Sequence, residues 1–213
     1  IAEVVLVGHA TTNDDYCNVL RATKARKMHT SRRDTFRPIN TQPIAKVFPD
    51  GKIDFLLTYN KREKIEVNVD AVFEKKVALV KFYPGADPDI LEYYRKKGYK
   101  GIVIEFMGIG QVANQGEFNF IPKIKEIISK GMYVIAAPQT LYGRLDPYVY
   151  ESARRILDSG VIYLDDILPE TAYVKLGWVL AHKEFRGTLV MPDKMKENIA
   201  GEFNTRLGDE FLN

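Results

Sequence analysis

The sequence has little cysteine, no long apolar run and few of the strings that carry enzyme chemistry. Its one cysteine, Cys17, excludes an internal disulfide and a CxxC metal or redox motif. No segment approaches the roughly eighteen apolar residues that a membrane-spanning helix needs, and no secretory signal opens the chain. GxSxG, Walker and HExxH strings are absent, and His9, His29 and His182 lie too far apart to form a ligand motif. We therefore expect a cytoplasmic protein without membrane contact.

The composition is that of a globular protein. A chain of 213 residues with 46% apolar content can bury a core and suits one large domain or two small ones. It opens with IAEVVLVGHA, which has the pattern of a buried strand and lacks an initiator Met. We therefore expect the chain to begin inside a larger protein, or on one product of a processed or split chain.

Positive charge is concentrated in one segment. The net charge is only +3, yet residues 21–37 hold seven Lys and Arg against Asp34 alone. The predicted basic patch comprises Arg21, Lys24, Arg26, Lys27, Arg32 and Arg33. Charge leaves two interpretations open: a phosphate-binding surface that includes an aromatic such as Phe36, or an exposed strand pair whose cations meet acidic residues of a partner. The second is favoured.

The hydrophobic pattern predicts an α/β fold in two parts. Residues 1–75 read as a β-rich segment, in which Asp50-Gly51 is a hairpin turn signal. From residue 76 to 213, apolar runs alternate with amphipathic segments that end in Gly, which predicts four strand-helix repeats and a last helix, PDKMKENIAG. Since these strands have no polar face, we expect a small Rossmann-like parallel sheet covered by helices on both sides.

Ligands of such a sheet bind beyond the carboxyl ends of its strands, so the strand-end loops are the candidate sites. MGIGQ contains GxG without the full dinucleotide fingerprint, and a tight turn at Gly108 and Gly110 is the favoured interpretation. A polar cluster at the next strand end either faces a ligand or partner chain, or consists of a packed Tyr and a paired Arg; it comprises Gln139, Thr140, Tyr142 and Arg144.

Acidic residues follow the last strand. Asp165 and Asp166 with Glu170 could form paired carboxylates or a metal site. Asp166 also stands just before LPETAYVKL, where an acidic helix cap accounts for it without metal. The cap is the favoured interpretation.

Longer strings carry a family resemblance. KARKMHTSRRDTFRPIN, KVALVKFYPG, YKGIVIE, LYGRLDPYVYESARRILDSGVI, LPETAYVKLGWVLAH and NIAGEF together resemble the C-terminal half of the asparaginase/glutaminase family. The resemblance covers nearly the whole chain. RKMHTSRRDTFRPIN points to the archaeal tRNA-dependent amidotransferase members, whereas LYGRLDPYVYESARRILDSGVI and LPETAYVKLGWVLAH are shared with type I asparaginases. Residues 1–75 would then be the tail of the family's N-terminal domain, and residues 76–213 its C-terminal α/β domain.

The resemblance implies an amidohydrolase in which a threonine nucleophile releases ammonia from a side-chain amide. In the tRNA-dependent members, ammonia from glutamine serves a partner, the E subunit, that converts Glu-tRNA(Gln) to Gln-tRNA(Gln). That partner makes most of the tRNA contact, so contact by this chain is expected to be indirect or weak. The resemblance also implies a homodimer without metal or organic cofactor.

The family's catalytic residues are not in this sequence. TGGTI-like and GTDT-like strings, which carry the nucleophilic threonine and a Thr-Asp pair, are absent, and the catalytic lysine would lie upstream of Ile1. Nucleophilic catalysis needs an activated hydroxyl with a base in reach. We therefore expect the chain to be inactive alone and to pair with an N-terminal half. An L-asparaginase C-terminal half and a standalone RNA-binding module remain alternatives.

The loop after GIVIE departs from the family, which has GxG followed by Asn or His. This chain has Gln111 at that position and a longer loop. In many members this loop and the one matching YGRLD reach into a neighbouring subunit's active site. By position, the resemblance implies a supporting role at a cross-subunit site for Gln111, Asn114 and Arg144. It assigns the basic patch to an interface, within the dimer or towards the tRNA-bearing partner.

Overall fold

The computed structural model describes residues 1–64, 66–187 and 189–206. The chain forms two compact units. The first contains Ile1–Val69 together with the described residues from Ile199 onward, and the second contains Asp70–Asn198. In the described part of the chain, no helix is long and apolar enough to cross a membrane.

The first unit is built from short strands, which confirms the predicted β-rich segment. Four of them pair antiparallel in the order β1-β2-β5-β6, and β3 and β4 form a separate hairpin. The strands are β1 (Val5–His9), β2 (Cys17–Arg21), β3 (Ala25–Lys27), β4 (Phe36–Pro38), β5 (Ala45–Val47) and β6 (Ile53–Phe55).

The predicted Asp50-Gly51 turn joins β5 to β6. The Phe48 amide donates to the Lys52 carbonyl at 2.9 Å, and the Asp50 carboxylate accepts from the Lys52 amide at 2.9 Å. Gly51 has φ +86°, a left-handed conformation that glycine adopts without a steric penalty. The hairpin prediction is therefore confirmed.

The second unit contains the predicted parallel sheet, in the order β10-β9-β8-β7. Each strand is followed by a helix, and the first three of these helices stop near the predicted glycines, Gly98, Gly131 and Gly160. The elements are β7 (Val77–Lys81), α1 (Asp89–Lys96), β8 (Gly101–Phe106), α2 (Phe120–Ser129), β9 (Tyr133–Pro138), α3 (Glu151–Leu157), β10 (Ile162–Tyr163), α4 (Pro169–Ala181) and α5 (Val190–Lys196).

Both faces of this sheet are covered, as the apolar strands predict. Ile102 and Ile104 of β8 face a core that includes Leu91 of α1 and Ile124 of α2. Gly101 faces the opposite side, where an added Cβ would come within 3.0 Å of side chains of α4. Because side chains alternate along a strand, the continuous apolar run of β8 supplies both cores.

The end of the chain differs from the prediction. Helix α5 covers Val190–Lys196, so PDKMKENIAG is only partly helical. Gly201 has φ +74°, and the residues from Ile199 join the first unit, where the Thr23 hydroxyl donates to the Ala200 carbonyl at 2.8 Å. Long-range hydrogen bonds therefore replace the helical ones that local propensity suggested. The assignment of residues 1–75 and 76–213 to two family domains remains a prediction.

Candidate functional site

The carboxyl ends of the parallel strands form a polar edge in the second unit. Gln139 connects the ends of two strands there. Its backbone amide donates to the Phe106 carbonyl at 2.9 Å, and its Nε2 donates to the Phe82 carbonyl at 2.6 Å. The glutamine of the predicted polar cluster is thus held by the backbone of neighbouring strand ends.

Gln111 lies in the loop after β8. Its backbone exchanges hydrogen bonds with Met107, at 3.0 and 2.9 Å, and its Nε2 donates to the Ser152 hydroxyl of α3 at 3.0 Å. Gly108 and Gly110 have positive φ, so the GxG string forms a tight turn. The sequence favours this interpretation over a dinucleotide-binding fingerprint. Asn114 follows on the same loop and is half-buried.

Arg144 lies in the loop after β9. Its guanidinium Nη2 lies 3.6 Å from the Asp165 carboxylate, which agrees with a paired Arg, whereas Tyr142 is 42% exposed and is not the packed Tyr of that interpretation. The neighbouring backbone is tied to both adjacent loops: the Leu145 amide donates to the Asp165 carbonyl at 3.0 Å, and the Asp146 amide donates to the Ile109 carbonyl at 2.8 Å. The structure therefore brings the loops of Gln111 and Arg144 to the same edge of the sheet.

The N-cap position of α4 lies two residues beyond Asp166. The residue at the N-cap is Leu168, whose side chain makes no capping hydrogen bond, while Asp166 is 1% exposed. Pro169 stands at the first helical turn, where its missing amide hydrogen costs nothing. Among the described residues, no three His, Cys, Asp or Glu side chains form a group that could hold a metal ion.

Tyr163 is a residue of this edge that the sequence did not indicate. Its hydroxyl donates to the Gly110 carbonyl at 2.9 Å, and the residue is 4% exposed. Burial raises the pKa of the phenol well above its ordinary value, so the hydroxyl remains a donor. A tyrosine at a strand end has the same pattern as any core aromatic, and only the fold reveals its hydrogen bond.

These groups can bind, but they do not form a nucleophilic site. The edge presents amide, guanidinium and carboxylate groups, which recognise polar or charged parts of a ligand. Ser152 accepts a hydrogen bond from an amide, which does not increase its nucleophilicity, since activation requires a base that takes its proton.

The basic segment folds as a hairpin in the first unit, with Arg26 opposite Arg37 across β3 and β4, and residues 28–33 between the strands are exposed. Asp34 is 3% exposed and accepts hydrogen bonds from Arg32 at 2.9 and 2.8 Å and from Arg37 at 2.5 Å. Burial raises the pKa of this carboxyl, but the hydrogen bond from Arg32 and the charges of both arginines outweigh it and hold the pKa below its usual value. Part of the local positive charge is therefore neutralised within the hairpin.

Other cations of the predicted patch are also paired inside the first unit. Arg21 Nε lies 2.7 Å from the Glu3 carboxylate, and Arg33 Nη2 lies 2.5 Å from the Asp14 carboxylate. Lys24 is 1% exposed, so it does not belong to the exposed patch that the sequence predicts. It ends the short 3-10 turn between β2 and β3. The positive charge counted along the sequence is therefore larger than the unpaired positive charge exposed on the surface.

Most of the chain matches two known protein families. Residues 76–188 match the family described as Glutaminase/Asparaginase C-terminal domain, and residues 1–61 match the one described as Asparaginase, N-terminal. The chain therefore belongs to the asparaginase/glutaminase family, as its longer strings predict.

Individual relatives specify a branch of that family. The chain is 54% identical to the D subunit of glutamyl-tRNA(Gln) amidotransferase from Thermococcus kodakarensis, over 99% of this chain and 47% of that protein. It is 45% identical to the corresponding protein of Methanothermobacter thermautotrophicus, over 97% of this chain and 46% of the relative. The chain thus spans about half the length of the curated relatives it matches. These matches confirm the resemblance to the archaeal tRNA-dependent amidotransferase members.

Solved structures confirm the predicted fold class. The thermostable L-asparaginase from Thermococcus kodakarensis matches with a TM-score of 0.77 and 29% identity, over 89% of this chain and 56% of that one. L-asparaginase I from Vibrio cholerae matches with a TM-score of 0.75 and 20% identity, over 88% of this chain and 55% of that one, which shows the shared fold.

Proposed function

We propose that this chain is the C-terminal part of an amidohydrolase that releases ammonia from glutamine for tRNA-dependent amidation of Glu-tRNA(Gln). The observation that carries the proposal is the 54% identity, over 99% of the chain, to a protein named as the D subunit of glutamyl-tRNA(Gln) amidotransferase. The same identity extends over the α/β unit, whose strand-end loops are where ligands of this class of sheet bind.

The chain supplies supporting groups and not the nucleophile. The family's threonine motifs are absent from the sequence, and Ser152 at the strand-end edge accepts its hydrogen bond from an amide. An activated nucleophile must come from an N-terminal half, and this chain alone is inactive. No metal or organic cofactor enters this scheme, because amide hydrolysis by a threonine nucleophile needs none.

The sheet of the first unit presents a surface that suits a covering N-terminal half. Strand register aligns Val7, Val19, Ala45 and Phe55 on one face of this sheet. The inner two are buried, whereas Val7 is 57% and Phe55 is 50% exposed on the edge strands. An apolar face open at both edges supports the proposal that further protein packs there.

In the assembled homodimer, Gln111, Asn114 and Arg144 support a substrate site shared between the two copies. The exposed aromatic rim of the same loops supports an interface at this edge, since Tyr142 is 42%, and Tyr148 70%, exposed. Tyrosine is enriched at protein interfaces because it combines a large apolar area with a polar tip.

The E subunit is the proposed tRNA-binding partner, and the assembly functions in the cytoplasm. The hairpin carries Arg26 and Lys27 towards an interface, within the dimer or with this partner. Since Arg21, Arg32 and Arg33 already pair with acids of this chain, the hairpin makes at most weak contact with tRNA.

Ammonia release from glutamine tests the proposal. It is measured for this chain alone, for the chain mixed with a matching N-terminal half, and for that mixture with the E subunit and Glu-tRNA(Gln). We expect no release above background from the chain alone and restored release with the N-terminal half. Robust release by the chain alone would contradict the missing nucleophile.

The same assay distinguishes a second candidate, an L-asparaginase, which the match to a solved L-asparaginase favours. Preference for asparagine together with indifference to Glu-tRNA(Gln) would support that candidate. A titration of this chain with tRNA at low and high salt addresses a standalone RNA-binding role. Tight binding that weakens steeply with salt would replace our proposal with that role, because phosphate-driven binding releases counterions.

The supporting residues are tested by substitution in the reconstituted enzyme. Gln111→Ala and Arg144→Ala are expected to raise KM for glutamine several-fold, because each removes a polar group from the shared site. Gln115→Ala on the same loop is the matched control, since Gln115 is exposed. Equal kinetics for all three variants would remove these residues from the proposed site.

A further inference from the structure

The loop that carries Gln111 is closed by its own backbone. The amides of Gly110 and Gln111 donate to the Met107 carbonyl at 3.1 and 2.9 Å, and the Met107 amide donates to the Gln111 carbonyl at 3.0 Å. These bonds leave the carbonyls of Ile109 and Gly110 pointing out of the loop and available to other elements. The direction of the Gln111 side chain therefore depends on what holds this small closed loop in place.

Bonds from Asp146 and Tyr163 hold the backbone of this loop from outside. The Asp146 amide donates to the Ile109 carbonyl at 2.8 Å, and the Tyr163 hydroxyl donates to the Gly110 carbonyl at 2.9 Å. Tyr163 ends β10, and its ring meets Phe106 at the end of β8 edge-on, with centroids 5.7 Å apart. Because Tyr163 is buried and its ring packs on Phe106, the phenol is held in place as a donor to the loop.

The backbone conformation of Gly110 and its lack of a side chain leave space for the Tyr163 ring. The glycine's φ of +119° is a conformation that side chains rarely adopt, and an added Cβ would lie 2.6 Å from Cε1 of Tyr163. The absence of a side chain thus allows the ring to pack directly on the loop backbone. Hydrogen bond and ring contact together leave the loop little freedom to tilt.

We propose that Tyr163 is a positioning residue that acts through Gly110 to aim the Gln111 carboxamide at the glutamine-binding site. The proposal rests on the proposed function, in which Gln111 supports substrate binding. Gln111 Nε2 donates to the Ser152 hydroxyl at 3.0 Å, so a tilt of the loop breaks this bond and moves the carboxamide. Tyr163 itself is buried and does not touch substrate.

Tyr163→Phe is the test, since it keeps the ring and removes only the hydroxyl. In this chain, hydrogen exchange of the Gly110 and Gln111 amides is expected to become about tenfold faster, because loss of one buried hydrogen bond favours local opening. In the reconstituted enzyme, KM for glutamine should rise about three- to tenfold with kcat within about twofold. Tyr94→Phe is the control, a partly buried tyrosine of α1 whose substitution should change neither quantity.

A double variant separates positioning from general destabilisation. If Tyr163 acts only through Gln111, Tyr163→Phe should add nothing to the KM of Gln111→Ala, because the two changes are not independent. Unchanged amide exchange in Tyr163→Phe, or a further rise of KM in the double variant, overturns the proposal. An unchanged KM in Gln111→Ala is a different failure: it refutes the proposed role of Gln111 and leaves Tyr163 with no substrate site to serve.

Discussion

A methyl group at Gly177 is expected to destabilise the second unit, although Gly→Ala inside a helix ordinarily stabilises it. Gly177 lies within α4, where replacement by alanine is worth about 0.5–1 kcal/mol in favour of the helix. Here Phe73 packs over the glycine. An added Cβ would lie 2.1 Å from Cε2 and 2.3 Å from Cζ of that ring.

The magnitude follows from displacing the ring. Carbon atoms in contact prefer about 3.5–4.0 Å, so the Phe73 ring must move by well over an ångström. Phe73 is 38% exposed, so more than half of the residue's surface is buried, and displacing the ring loses part of this burial. Full burial of a phenylalanine contributes about 1.5–3 kcal/mol, so the partial loss amounts to about 1–2 kcal/mol, and residual overpacking adds to it. After the helix gain of about 0.5–1 kcal/mol is subtracted, a loss of up to about 1.5 kcal/mol remains, and with residual overpacking Gly177→Ala should destabilise by about 1 kcal/mol or more.

Urea unfolding followed by the fluorescence of Trp178, the only tryptophan, measures this change. The matched background is Phe73→Ala, in which the added methyl has space and Gly177→Ala should become neutral or stabilising. A double-variant cycle therefore isolates the steric contact. A stabilising Gly177→Ala in the natural chain, or an equal cost in both backgrounds, would refute the reasoning.

Two further predictions concern pH. A hydrogen bond from Arg95 lowers the pKa of Glu92 from its usual value near 4.5 to about 2. The contribution of Glu92 to stability is therefore present above about pH 4.5 and is lost as pH falls through 2. Thermal unfolding between about pH 5 and 2 should depend less on pH in Glu92→Gln. The Trp178 carbonyl, and after it Asp70, raise the pKa of His182, so its contribution is present below about pH 6.5 and is lost as pH rises through the raised value. Proton NMR titration of His182 should show a lower midpoint in Asp70→Asn, and an unchanged midpoint would exclude the Asp70 contact.

The candidate site was predictable in position but not in its contacts. Because the carboxyl ends of parallel strands meet at one edge, sequence order alone places the loops of Gln111 and Arg144 there. Their contacts with Ser152 and Asp165 join residues from different strand-helix repeats, and spacing along the chain carries no signal for such pairs. Tyr163 was missed for the same reason.

Local sequence rules failed where non-local contacts compete with them. Asp166 is an acceptable helix cap by type and position, yet α4 begins after Leu168 and Asp166 is buried. NIAG continues a helical pattern, yet the residues from Ile199 join the first unit, where Thr23 bonds Ala200. Helix propensities differ by only a few tenths of a kcal/mol per residue, so tertiary contacts of this kind can outweigh them.

The sequence by itself determined the fold class, the parallel sheet, the Asp50-Gly51 hairpin and the family. Hydrophobic periodicity, glycines at helix ends and long shared strings are properties of the order of residues, so they can be recognised without the tertiary structure. Only the tertiary structure decided how much positive charge the basic segment exposes. Asp34 neutralises part of the hairpin's positive charge from within, and Lys24 is buried. Coulomb energy depends on the distance and the medium between charges, and folding sets both.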